Sequence, residues 1–151
     1  MSLKKQLMSD LKEAMKSHNK LRKDVITMIR ASIKQREVDE RIELTDEDIL
    51  GIISKQLKEK KNSIDEFEKG NRQDLIDQTK AEINILLDYL PKQLTEDELR
   101  NIVKETMEEH NITSNKDIGQ LMKSVMPKVK GKADGKTVNK IAIELLNEPR
   151  D

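Results

Sequence analysis

The chain has 151 residues and a mass of 17.5 kDa, room for one ordinary domain or two very small ones. Hydrophobic residues make up only 34% and charged residues 38%, with 29 basic side chains against 29 acidic ones. Helices with one narrow apolar stripe fit that ratio, and no whole-molecule field attracts nucleic acid or acidic lipid.

Phe67 and Tyr89 are the aromatic residues, too few for a β-sandwich or barrel or for a surface that stacks several bases. Without cysteine there is no disulfide framework, zinc ribbon, iron–sulfur cluster or thiolate nucleophile, and a reducing, cytoplasmic location is expected. Met1-Ser2-Leu3-Lys4-Lys5 leads into an amphipathic pattern, and no run approaches the roughly 18 apolar residues of a membrane span. A soluble, non-exported protein is the expectation.

Apolar positions recur at helical spacing from end to end, which predicts an all-α fold. Leu3, Leu7, Leu11, Ala14 and Met15 mark helix one; after Ser17-His18-Asn19, the residues Leu21, Val25, Met28, Ile29 and Ile33 mark helix two. So short a connection makes the second helix fold back beside the first or kink away from it. Thr45 before Asp46-Glu47-Asp48 reads as the cap of helix three, which Ile49, Ile53, Leu57, Ile64 and Phe67 carry to Gly70, a C′ candidate. Helix four spans about Arg72 to Tyr89 and is stopped by Pro91. The domain boundary is placed there: residues 1–90 form an N-terminal domain of about four helices, and 91–151 a C-terminal three-helix module. In that module, Thr95-Glu96-Asp97-Glu98 is a capping box for helix five; Ser114 opens helix six, which ends at Pro127; Val138, Ile141, Ala142, Leu145 and Leu146 define helix seven.

The signs of charge are sorted locally. Residues 1–36 carry 10 basic and 3 acidic side chains, 37–48 carry 1 and 7, and 116–140 carry 7 and 2, so two basic surfaces are expected. The second contains Lys128-Val129-Lys130-Gly131-Lys132-Ala133-Asp134-Gly135-Lys136-Thr137. A phosphate-cradling P-loop needs four residues between its glycines and a preceding strand; Gly131 and Gly135 are separated by three, and no strand precedes them. Nucleotide hydrolysis is therefore rejected. An exposed N-terminus of helix seven ringed by Lys128, Lys130, Lys132, Lys136 and Lys140 does suit an anion, RNA backbone phosphate being the candidate. The alternative is that Asp134 caps helix seven, Gly131 and Gly135 permit a positive-φ turn and the lysines form a solvated rim. The two readings can coexist.

Other constellations have plainer explanations. Asp39-Glu40, Asp46-Glu47-Asp48 and Glu108-Glu109 read as solvated faces and helix N-termini, and His18 and His110 as residues at helix ends rather than metal ligands. Met122 and Met126 continue the apolar stripe of helix six. The charges from Lys55 to Arg72 alternate as on an exposed, ion-paired helix. Arg30, at the rim of the stripe of helix two, either pairs with an acid across the bundle or snorkels.

Three strings taken together, Phe67-Glu68-Lys69-Gly70-Asn71-Arg72-Gln73-Asp74-Leu75, Tyr89-Leu90-Pro91-Lys92-Gln93-Leu94 and Met126-Pro127-Lys128-Val129-Lys130-Gly131-Lys132-Ala133-Asp134-Gly135-Lys136, resemble the YqeY family over essentially the whole chain. The resemblance implies a C-terminal module similar to the tail domain of GatB, the subunit of glutamine-dependent aminoacyl-tRNA amidotransferase whose tail engages tRNA. It implies an RNA-contact role for Lys130, Gly131, Lys132, Gly135 and Lys136; Lys123, Lys128 and Lys140 join them on electrostatic grounds. The implied partners are tRNA or another structured RNA and a protein of aminoacyl-tRNA metabolism; no membrane, metal or cofactor is expected from the residues. Carbon–nitrogen ligase activity with glutamine as amide donor is also implied by the resemblance, but no catalytic constellation for it is visible in these residues. A helical protein-interaction scaffold is a further alternative.

Overall fold

The computed structural model describes residues 2–148. It is all-α: among the described residues there are seven α-helices, one 3₁₀ turn and no strand. The helices are α1 (Leu3–Lys16), α2 (Lys20–Glu40), α3 (Asp46–Lys69), α4 (Gln73–Leu87), α5 (Glu96–Glu109), α6 (Ile118–Val129) and α7 (Gly135–Asn147). The chain divides into two compact units, Met1–Leu90 and Pro91–Asp151.

In the first unit α2 folds back along α1. The three-residue connection joins them at one end, and near the other Lys4 Nζ meets Glu37 Oε2 at 2.6 Å. The facing stripes bury Leu7 of α1 and Ile26, Ile29 and Ile33 of α2, which share one core with Ile49 and Ile53 of α3 and Leu86 of α4. Lys60 of α3 and Glu82 of α4, 2.8 Å apart and both largely shielded, tie those two helices. Tyr89 closes the end of the core: its hydroxyl donates to Asp10 Oδ2 at 2.6 Å, and burial together with that carboxylate pushes the phenol well above its usual value. Tyr89→Phe removes this tie and should lower stability by about 1–2 kcal/mol in urea denaturation.

Helix ends follow side-chain chemistry more than glycine. Thr45 and Asp48 form one capping box, and Thr95 and Glu98 another. At the C-terminal ends of α1, α3 and α5 the left-handed residues are His18, Asn71 and Asn111. In each case the next amide reaches back to the carbonyl five residues earlier, Asn19 to Ala14, Arg72 to Phe67 and Ile112 to Met107, a Schellman arrangement. Gly70 is thus not the left-handed position: its φ is −90°, and Asn71, whose short side chain tolerates that region, takes the role.

Two expectations for the second unit are corrected. Ser114 opens a 3₁₀ turn, Asn115–Asp117, and α6 starts at Ile118. Pro127 does not end that helix, which continues to Val129. Proline deprives only the carbonyl four residues earlier of its donor, and Lys123 and Pro127 both lie on the exposed face of the helix. The core of this unit joins Leu99 and Val103 of α5, Leu121 and Val125 of α6 and Val138 and Ile141 of α7. Arg100 links the start of α5 to the end of α7 through Glu144 at 2.8 Å and Glu148 at 3.7 Å.

Several carboxylates are held below their ordinary values. Glu37 is lowered by its hydrogen bond from Lys4 and then by the Leu44 N–H, and Glu98 by the Thr95 N–H and hydroxyl. Because the folded values are depressed, this stabilisation is present above the unfolded glutamate value of 4.5 and is lost as pH falls through the folded values. Stability should therefore decline below about pH 4.5, and Glu37→Gln should make the decline shallower in acid denaturation followed by circular dichroism.

Candidate nucleic-acid interface

The basic loop begins where α6 runs out. Val129, fully buried, anchors the last turn, and its carbonyl accepts from both Lys132 N at 2.8 Å and Ala133 N at 3.1 Å. That tight turn requires a left-handed residue, which Gly131 supplies at φ +76°. The segment that opens the unit then pins the turn from outside: Gln93 Nε2 donates to Gly131 O at 2.8 Å and to Pro91 O at 2.9 Å, and Leu94 N donates to Lys132 O at 3.0 Å. The loop's carbonyls are thus turned toward the protein.

Asp134 caps α7. Its Oδ1 accepts from Thr137 N at 2.7 Å, and its backbone carbonyl accepts the first intrahelical bond, from Val138 N. Gly135 is accordingly the first helical residue with no positive φ, so only Gly131 fills the role expected of both glycines. The amides of Gly135 and Lys136 have no intrahelical acceptor by helix geometry and, with the macrodipole, favour an anion there. The Asp134 carboxylate opposes part of that attraction.

The lysines around this terminus are not equivalent. Lys130, Lys132 and Lys136 flank the turn with exposed side chains, and Lys140 follows one turn along α7. Lys123 is exposed on α6, more than a turn before its end. Lys132, Lys136, Lys140 and Lys123 make no ion pair among the described residues. Lys128 points elsewhere: its Nζ lies 2.9 Å from Thr106 Oγ1 and 3.0 Å from Glu109 Oε2, on α5. Five residues from the sequence, Lys130, Gly131, Lys132, Gly135 and Lys136, thus lie together in the turn and the first residues of α7; Lys140 follows one turn along α7, Lys123 stays on α6 more than a turn before its end, and Lys128 is engaged on α5.

The residues missed from the sequence are those that hold the corner. Gln93 is 38 positions from Gly131, and nothing in its neighbours announces the bond. Glu109, read as a solvated carboxylate, is the counter-ion of Lys128. Arg30, whose expected alternatives were an acid partner or snorkelling, has no ion pair among the described residues and lines a cleft with Lys4 and Lys34. His18 and His110 sit at helix ends. Among the described residues, no group of three or more His, Asp or Glu is placed to hold a metal ion, and no helix is long and apolar enough to cross a membrane.

A family model described as Yqey-like protein matches residues 4–146. The chain is 33% identical over 143 residues to "Altered inheritance of mitochondria protein 41, mitochondrial" of Pyrenophora tritici-repentis, covering 93% of this chain and 78% of that protein. The protein of the same name from Lachancea thermotolerans is 40% identical over 85 residues, 56% of this chain and 46% of its own length. The one from Saccharomyces cerevisiae is 28% identical over 133 residues, 87% and 63%. The chain therefore spans about half to two thirds of these two yeast relatives. Relatives named as mitochondrial overturn the expected cytoplasmic location. The absence of cysteine rules out a disulfide framework, but it does not choose among compartments in which none is needed.

Proposed function

The chain belongs to the YqeY family, and on that premise we propose that it is a non-catalytic RNA-binding accessory protein that engages tRNA through the basic loop between α6 and α7, in the manner of the amidotransferase tail domain it resembles. The observation that carries this reading is the set Lys132, Lys136 and Lys140: three exposed ammonium groups without a counter-ion among the described residues, the first on a loop whose backbone Gln93 and Leu94 pin, the other two in the first two turns of α7. In a molecule of zero net charge, such a local excess supplies the attraction to phosphate. With few aromatics to stack on unpaired bases, recognition is of backbone and shape. The test is a fluorescence-anisotropy titration of labelled tRNA with the wild type and a Lys132→Ala/Lys136→Ala/Lys140→Ala variant; equal affinities overturn the reading.

The catalytic alternative, carbon–nitrogen ligation with glutamine as amide donor, requires the purified chain alone to convert misacylated tRNA in the presence of glutamine and ATP, and no product is expected. A scaffold reading has one observation in its favour. Met28 and Val38 on α2, and Ile42 just after it, are apolar side chains left 58%, 64% and 47% exposed. A partner retained from a nuclease-treated lysate by the wild type and lost by Met28→Ser/Val38→Ser would favour the scaffold over RNA.

A further inference from the structure

Within the first unit, a cleft of about 190 Å³ between α1 and α2 is lined by Lys4, Leu7, Arg30, Ile33, Lys34 and Glu37. Its floor is apolar: Leu7 and Ile33 are 0% and 4% exposed. Three cations and one carboxylate surround it. The carboxylate is already engaged, since Glu37 accepts from Lys4 Nζ at 2.6 Å and from Leu44 N at 2.9 Å. The other acid within reach, Glu43, lies 4.0 Å from Lys4 with its side chain 87% exposed.

Arg30 is the anomaly. It is half-buried and makes no hydrogen bond or ion pair among the described residues. Its neighbours one turn away on α2 are Ile26, Thr27, Ile33 and Lys34, so the helix offers it no counter-ion and sets a like charge at i+4. The Arg30 side chain thus lines the cleft beside the ammonium-bearing Lys4 and Lys34, over an aliphatic floor, with no acid of the described residues paired to it.

We propose that this cleft holds a phosphate monoester group, with the Arg30 fork on two phosphoryl oxygens, Lys34 on a third, and Lys4 shared between the ligand and Glu37. Charge selects the class: three cations less the Glu37 carboxylate leave an excess of two, which matches a monoester or inorganic phosphate at about −1.5 to −2 and exceeds a carboxylate or an internal phosphodiester at −1. Size agrees, because the cleft is smaller than the roughly 300 Å³ at which sites for whole organic ligands begin, and so takes a head group. The planar fork supplies paired hydrogen bonds, which the apolar floor strengthens by excluding water. The site is separate from the basic loop and does not depend on the loop binding RNA.

The same chemistry has two sources, a free phosphorylated small molecule or the 5′-phosphate of an RNA, and the experiment separates them. The Arg30 Nε–Hε NMR signal is followed while the protein is titrated with inorganic phosphate, with chloride at matched ionic strength, and with a short RNA in 5′-phosphorylated and 5′-hydroxyl forms. A saturable shift with phosphate and none with chloride is expected. A response to 5′-phosphorylated but not 5′-hydroxyl RNA identifies an RNA end as the source, and a response to phosphate with neither RNA identifies a small molecule. Equal responses to both RNA forms, or none to any phosphate, overturn the proposal. By calorimetry with inorganic phosphate, Arg30→Gln should weaken binding about tenfold or more. Glu37→Gln, which keeps an acceptor for Leu44 N–H but removes the opposing charge, should tighten it. A variant that merely failed to fold would lose binding, so tightening by Glu37→Gln distinguishes the site from misfolding, and unchanged affinity in both variants contradicts it.

Discussion

Leu121→Ala should lower the stability of the second unit by about 3–4 kcal/mol. Leu121 is 0% exposed near the start of α6 and belongs to the cluster that joins α5, α6 and α7. Truncation loses the transfer free energy of the removed carbons and leaves a cavity that three short helices close only in part. A unit of about 60 residues has on the order of 3–9 kcal/mol to lose, so the variant should be half unfolded or worse at modest urea concentrations. Its functional consequence is direct, because the basic loop is defined by the last turn of α6 and the first of α7. Ile143→Ala, on the same unit but 39% exposed, should cost under about 1 kcal/mol, and urea denaturation of both variants separates burial from side-chain size. Equal costs would contradict the assigned core.

The second large effect is on RNA. Removing Lys132, Lys136 and Lys140 together should weaken tRNA binding on the order of a hundredfold at about 0.1 M salt, since each phosphate contact contributes roughly 0.7–0.9 to the slope of log K against log salt and three contacts multiply. Alanine at 136 and 140 also keeps helix propensity, and Lys136 near the positive end of α7 is electrostatically unfavourable for the fold. Lost affinity is therefore not lost structure, which an unchanged circular dichroism melt checks. Lys128→Ala should change affinity less than about twofold, because Glu109 already neutralises that ammonium at 3.0 Å. A drop as large as that of the triple variant would place Lys128 among the phosphate contacts and remove the distinction drawn from its ion pair.

How much of this was legible in the sequence depended on range. Thr45 with Asp48 and Thr95 with Glu98 announce their helices because a capping box is complete within four residues, and the stripes from Leu3 to Leu146 give the helices because periodicity is local. Helix ends were harder. Glycine at 70 drew attention to itself, whereas the left-handed turn is made by Asn71 one position later, and His18 does the same after α1. Pro127 in the sequence predicts a stop, whereas near the end of α6 it removes a single bond and the helix runs on to Val129.

The candidate site was legible as a composition and illegible as an arrangement. A run of lysines about Gly131 and Gly135 is visible in one line of sequence, but which of them are free is decided by residues far away. Glu109 takes Lys128 from 19 positions off, and Gln93 reaches Gly131 O across 38. Arg30 shows the reverse case: cationic surroundings were expected from the first 36 residues, but the lack of an acid partner is a fact of packing between α1 and α2.

The central claim, that Lys132 of the α6–α7 loop and Lys136 and Lys140 of α7 meet RNA phosphates, is tested most directly by the salt dependence of tRNA affinity for the wild-type chain between about 50 and 200 mM monovalent salt. Three contacts predict a fall of log K with log salt at a slope of about −2 to −3, and a slope near zero in the triple alanine variant. A slope that is the same in both proteins would contradict it.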